Sequence, residues 1–291
     1  MSYKIAIASG KGGTGKTSIS VCLQHFITKY ITKEIQLIDC DVEEPNDILF
    51  YPAAKKKKSN SITQLIPEID KNNCNFCNKC ADYCEFNAIS IIPSAQLAEV
   101  NASLCHSCGA CLVACEQDAI KEKEVVIGQT NFYLEGNQTI LVEGVLKIGS
   151  PMQTLVIKGL KKEISDSNVI TLYDAPPGTS CPVVETISDT NYIILVTEPT
   201  PFGLHDLKLM IALIKEIKIP FGVIINKAGL GNNEIYDYME TEQFELLGEI
   251  PFDQDFATKY AKGDLLKDIP QKISDSFYKI TNQIKKRMSL C

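Results

Sequence analysis

The 291-residue sequence predicts an α/β fold: a mostly parallel sheet flanked by helices, split in chain order by a small cysteine-rich insert. Three observations lead there. An apolar β-type run, Ile5 to Ala8, meets a glycine loop, then a helical pattern with apolar residues at Ile19, Leu23, Phe26 and Ile27, then a second apolar run, Ile35 to Ile38. Strand, loop, helix and strand in that order form a βαβ unit, which requires a parallel sheet covered by helices. The alternation resumes late in the chain, with buried-type strands at Val169–Tyr173, Tyr192–Val196, Phe221–Ile225 and Leu246–Ile250, each followed by a helical pattern. In the middle, eight of the twelve cysteines crowd between Cys74 and Cys115. One α/β domain over 1–60 and 124–291, interrupted by a module over 61–123, fits this order better than two domains in tandem.

Bulk properties narrow the function classes. A net charge of −7 gives no overall positive surface, so no nucleic-acid partner is expected. No apolar stretch approaches the roughly 18 residues of a membrane span, and no stable membrane insertion is expected. Met1 to Gly13 holds only a short apolar run, which predicts no cleaved signal peptide. Clustered cysteines in an otherwise ordinary α/β sequence read as metal ligation in a reducing compartment, so a cytoplasmic location is expected.

Between the strands, Lys55 to Lys58 reads as a solvated loop at the domain boundary, and Lys123 to Ile148 as short strands around Gly136-Asn137 and Gly144, a hairpin leading back to the sheet. A final helical pattern, Ile273 to about Met288, carries Ile273, Phe277, Ile280 and Ile284 on one stripe. It is expected to pack on its own domain rather than on a membrane.

Gly10-Lys11-Gly12-Gly13-Thr14-Gly15-Lys16-Thr17, followed by Ser18, satisfies G-x-x-x-x-G-K-[ST] between a strand and a helix, the context of a P-loop. Glycines let backbone N–H groups close around phosphate oxygens, and the helix N-terminus adds favourable partial charge. Lys16 is expected to reach the β/γ-phosphates of ATP and Thr17 to ligate Mg²⁺. With Lys11 included, the loop resembles the deviant P-loop of the MinD/ParA family, which includes the nitrogenase iron protein. The resemblance implies an ATP sandwich formed by two subunits, identical or related, in which Lys11 reaches the partner's phosphate site. It further implies that Asp39 and Asp174 lie near Mg²⁺, that Asp41 positions the attacking water, and that Asn226 and Pro251 contact adenine. Lys11, Lys16 and Asp41 are then the catalytic set.

Within the insert, Cys74-x2-Cys77-x2-Cys80-x3-Cys84 recurs 31 residues later as Cys105-x2-Cys108-x2-Cys111-x3-Cys115. Each run continues as Glu-x-x-Ala-Ile, and the repeat resembles the bacterial two-cluster ferredoxin. Thiolates are soft ligands suited to iron–sulfur clusters. In such modules the fourth cysteine serves the other cluster, which implies one [4Fe–4S] cluster on Cys74, Cys77, Cys80 and Cys115 and a second on Cys84, Cys105, Cys108 and Cys111. The usual proline after the fourth cysteine is replaced by Glu85 and Glu116. Cys22, Cys40 and Cys181 are expected to be structural, with a cluster held at Cys181 across a dimer as the alternative; Cys291 is terminal.

The insert leaves the core just after Asp41–Asp47, a segment that relatives use as a switch. The leading expectation is an Mg²⁺-dependent ATPase whose nucleotide cycle gates electron transfer or metal-cluster delivery to a redox or metallocluster partner. The alternative is a MinD/ParA-like spatial-positioning ATPase with structural or redox-sensing clusters.

Overall fold

The computed structural model describes residues 2–164 and 169–289, so Cys291 lies outside the described residues. The chain forms two compact units. One comprises Met1–Asn60, Thr130–Val145 and Ile157–Cys291; the other comprises Ser61–Gln129 and Leu146–Val156.

In chain order the strands are β1 (Tyr3–Ala8), β2 (Ile35–Asp39), β3 (Lys55–Ile69), β4 (Ile89–Ile92), β5 (Leu97–Val100), β6 (Ile120–Glu135), β7 (Gln138–Leu146), β8 (Ile170–Asp174), β9 (Tyr192–Thr197), β10 (Phe221–Ala228) and β11 (Leu246–Pro251). The helices are α1 (Lys16–Tyr30), α2 (Lys79–Asp82), α3 (Ala110–Ala114), α4 (Gln153–Lys162), α5 (Cys181–Ile187), α6 (Pro201–Ile217), α7 (Glu234–Thr241), α8 (Gln254–Ala261) and α9 (Gln271–Met288).

The main sheet runs β11-β10-β9-β1-β8-β2-β7-β6-β3. Its central pairs are parallel: β1 with β8 and β9, β2 with β7 and β8, and β10 with β9 and β11. Strands β1, β2, β8 and β9 are buried along nearly their whole length, as expected where helices cover both faces. On one face, α1 and α9 share a core in which Phe26 and Phe277 stack with ring centroids 5.4 Å apart. Ile273, Phe277, Ile280 and Ile284, the apolar stripe of α9, are all buried there. Among the described residues no helix is long and apolar enough to cross a membrane.

Two local expectations are corrected. Lys55–Lys58 is the start of β3, not a loop. These lysines are exposed, and β3 ends the sheet order, where lysines discourage a foreign strand from pairing with a free edge. Lys123–Ile148 does hold a hairpin in the main sheet, β6 and β7 being neighbours joined by Gly136-Asn137, but its strands are long rather than short. Gly136 takes the left-handed φ of 62° that a two-residue turn needs, whereas Gly144 stays within β7. A glycine inside a strand weakens it without ending it when neighbouring strands supply the ladder.

The second unit carries the cysteine repeat, and the repeat is visible in its backbone. Phe76, Asn78 and Asn87 have left-handed φ values, and so do Ser107, Gly109 and Asp118 at the same offset. The hydrogen bonds cross over: Asp70 N–H donates to Ala119 O and Asn101 N–H to Ala88 O, each at 2.7 Å. Short helices α2 and α3 and the antiparallel pair β4–β5, with Ile89 opposite Val100, complete it.

Candidate functional site

Parallel strands of an open α/β sheet gather loops at their carboxyl ends, where ligands of such folds bind. Here β1 ends at Ala8 and the glycine loop leads into α1. Gly15 caps that helix with φ 87°, and a Cβ there would lie 2.2 Å from the Asn226 amide nitrogen, so only glycine fits. Gly10 is pinned differently, because a Cβ would meet the Asp206 carbonyl oxygen at 2.5 Å. No side chain caps α1. The first N–H groups of Lys16, Thr17 and Ser18 are thus left for an anion, which the helix dipole also favours.

The loop forms one end of a cleft of about 320 Å³, to which Lys11 through Ser18 all contribute. Asp41, Asn46, Pro177 and Asn226 border it, and Pro251, Phe252, Phe256 and Tyr260 complete its wall. Asn226 holds the loop directly, its Nδ2 donating to Thr14 O at 2.7 Å. Gly10, a P-loop glycine, lies outside this lining, against the smaller hollow beside Asp206.

Below the loop is a buried ionic cluster. Lys16 Nζ lies 2.8 Å from Asp174 Oδ1, with both side chains almost fully buried. Asp174 also accepts from Ser20 Oγ at 2.7 Å and from Thr17 Oγ1 at 3.1 Å. Asp39 accepts three backbone N–H groups: Asp41 at 3.0 Å, Asn46 at 2.9 Å and Asp47 at 3.1 Å. Burial and the Asp174 charge nevertheless push the Asp39 carboxyl up to about 7. Burial lowers the Lys16 ammonium, but Asp174, Asp47 and Asp39 outweigh it and the net shift is upward. Asp41 is half-buried at the cleft wall, and desolvation raises its carboxyl. It stands apart from a tighter group, Asp39, Asp47 and Asp174, in which one oxygen from each lies within 4.8 Å of the others.

Lys11 does not extend into solvent. Its Nζ lies 2.6 Å from Glu198 Oε1, and Lys227 Nζ approaches Glu198 Oε2 at 2.9 Å while donating to Gly13 O at 2.8 Å. Burial raises the Glu198 carboxyl, but the hydrogen bonds from Lys11 and Lys227 outweigh it and the net shift is downward.

The sequence reading missed Asp47, Glu198, Lys227 and Ser20. For Glu198 and Lys227 a signal existed: each stands at the carboxyl end of a parallel strand, β9 or β10, on the side that carries the loop. Asp47 opens a 3-10 helix, Asp47–Phe50, and only the fold turns its side chain inward.

In the second unit the eight cysteines fall around two hollows. Cys74, Cys77, Cys80 and Cys115 line one, and Cys84, Cys105, Cys108 and Cys111 line the other, so each draws three thiols from one repeat and one from the other. Three sulfurs accept backbone N–H groups: Cys74 from Phe76 at 3.4 Å, Cys105 from Ser107 at 3.4 Å and Cys84 from Ala88 at 3.3 Å. Burial raises the Cys111 thiol to about 11. His106 stacks on Phe86 beside the second hollow, centroids 3.8 Å apart. Of the other cysteines, Cys22 and Cys40 are buried and Cys181 is exposed at the start of α5.

The profile of the CobQ/CobB/MinD/ParA nucleotide-binding domain family matches residues 5–266. The chain belongs to this family. The CobQ/CobB/MinD/ParA match spans both the glycine loop and the cysteine repeat. An uncharacterised protein of Methanocaldococcus jannaschii is 33% identical over 286 residues, covering 97% of this chain and 96% of that one. The iron–sulfur cluster carrier protein of the same organism is 22% identical, over 97% of this chain and 83% of its own length. Among solved structures, the septum site-determining protein MinD of Pyrococcus horikoshii, complexed with Mg-ADP, superposes with a TM-score of 0.60 at 19% identity, covering 100% of this chain and 98% of that one. That likeness establishes the MinD-type fold.

Proposed function

We propose that this chain is an Mg²⁺-dependent ATPase carrying two [4Fe–4S] clusters, whose nucleotide cycle gates electron transfer or cluster delivery to a partner protein. The observation that carries the reading is the partition of the eight cysteines. Each hollow offers four soft thiols, and backbone N–H groups already point at sulfur in both. Residues 61–123 then form a ferredoxin-like domain inserted into an ATPase of 1–60 and 124–291. Similarity to a protein named as an iron–sulfur cluster carrier supports the same reading.

At the cleft, the residues present fit ATP and Mg²⁺: the uncapped helix end receives phosphate, and the buried carboxylates lack a full set of cations. Lys16 leaves Asp174 for the β/γ-phosphates. Thr17, Asp39 and Asp174 hold Mg²⁺, which supplies charge neutralisation at the transferred phosphoryl group. Asp41, on the cleft wall, orients the attacking water, while Asn226 and Pro251 flank the base. Lys11 exchanges Glu198 for the phosphate site of a second subunit, identical or related, in an ATP sandwich.

Chain order links the two halves, because the insert departs soon after Asp47 in the segment that carries Asp39 and Asp41. The test is anaerobic purification with iron and sulfide analysis, then EPR with and without a non-hydrolysable ATP analogue. About eight irons per chain and a nucleotide-dependent change in cluster signal or partner binding are expected. Absence of iron, or a signal and partner binding indifferent to nucleotide, sinks the proposal.

A further inference from the structure

Asp47 is fully buried, and neither of its carboxylate oxygens has a hydrogen-bond partner. Its two neighbours are better served. Asp39 collects three backbone N–H groups, and Asp174 collects the Lys16 ammonium and two hydroxyls. A buried polar atom without a partner is costly, and a buried charge without one more so. Yet the Asp47 side chain is aimed at the place where oxygens of Asp39 and Asp174 converge within 4.8 Å.

We infer that Asp39, Asp47 and Asp174 form a divalent-cation site that fills before nucleotide binds, with Asp47 the ligand that frees it from any need for phosphate. When all three are ionised, the carboxylates face a single ammonium, Lys16, an excess of two negative charges. One divalent ion cancels them. The donors are all carboxylate oxygens, which select hard cations such as Mg²⁺ or Mn²⁺. The set of Thr17, Asp39 and Asp174 expected around nucleotide-bound Mg²⁺ does not include Asp47. Its unpartnered carboxylate gives the protein a cation hold of its own, and Lys16 is then released from Asp174 to meet the incoming phosphates. This deepens the proposed ATP site and rests on that reading for the cation's later use.

The experiment titrates Mn²⁺ into nucleotide-stripped full-length protein and follows the EPR signal of free Mn²⁺, with excess Mg²⁺ as competitor to exclude thiol binding. The wild type is expected to take up one Mg²⁺-displaceable Mn²⁺ per chain, and Asp47→Asn, which preserves volume, to weaken that binding at least tenfold. Melting curves check that the variant folds; should it not, Asp47→Ser is read the same way. No displaceable Mn²⁺ in the wild type, or equal binding by the variant, overturns the inference. The first result would mean that a proton, not a metal, neutralises Asp47. Binding of a fluorescent ADP analogue by the wild type is measured separately: its absence defeats the ATP reading, whereas its presence without Mn²⁺ uptake defeats only the cation site.

Discussion

Replacing Glu198 with glutamine removes the anion that restrains two lysines at the mouth of the glycine loop. Glu198 has a side-chain exposure of 13%, against 31% for Lys11, so the pair is partly screened. A hydrogen bond to a charged group contributes about 1.5–3 kcal/mol, and exposed ion pairs typically under 1 kcal/mol, so about 1–2 kcal/mol holds Lys11 in place. In the proposed ATP sandwich both subunits must surrender this contact. The variant therefore favours the dimer by about 2–4 kcal/mol, a fall of at least roughly 30-fold in its dissociation constant. Sedimentation velocity across a concentration series, with a non-hydrolysable ATP analogue, measures it. In the Lys11→Ala background the same substitution should have little effect, which makes the comparison a double-mutant cycle. A shift of less than about threefold with Lys11 intact would show that Glu198 does not restrain the lysine.

Other expectations concern the charges and thiols. Asp39 titrates at about 7 in the folded chain, against about 4 in an unfolded one. The native state therefore binds the extra proton, and stability falls as pH rises from about 4 through 7. Urea unfolding of the nucleotide-free protein, stripped of divalent cations with EDTA, should show a loss of about 1 kcal/mol between pH 6 and pH 8, with Asp47 acting in the same direction. Lys16→Met should abolish ATP binding in calorimetry and also lower stability by about 3 kcal/mol, because it leaves Asp174 buried without its ammonium. Cys80→Ser and Cys115→Ser should remove the same cluster signal in EPR, whereas Cys84→Ser should remove the other; if Cys84 and Cys80 fall together, the crossed assignment is wrong. Phe277→Ala should destabilise the protein by about 3–5 kcal/mol, read from chemical unfolding, because it opens the packed face of α9 against Phe26.

Much was legible in sequence because the responsible interactions are local or periodic. A glycine loop between an apolar strand and an amphipathic helix has few foldable alternatives, and β1, α1 and β2 stand where that pattern puts them. Strands β8 and β9 are legible for the same reason, because continuous apolar runs survive only where both faces are covered; β11, expected to be buried, is instead an edge strand with Leu246 and Glu249 exposed. The strand at Lys55–Lys58 and the length of β6 and β7 are not legible, because exposed lysines and interior glycines look alike in a loop and in a strand until neighbouring strands are known.

The linear sequence determined the glycine-loop pattern, the doubled cysteine spacing and the resemblance to the family, since each motif depends on residues a few positions apart. Only the tertiary structure decided that Asp47 joins Asp39 and Asp174 and that Glu198 binds Lys11 and Lys227. Lys11 and Glu198 are 187 residues apart, as are many contacts between strand ends of a parallel sheet. Burial without a partner is likewise a property of the folded surroundings. It distinguishes Asp47 from a surface acid, and no spacing in the chain encodes it.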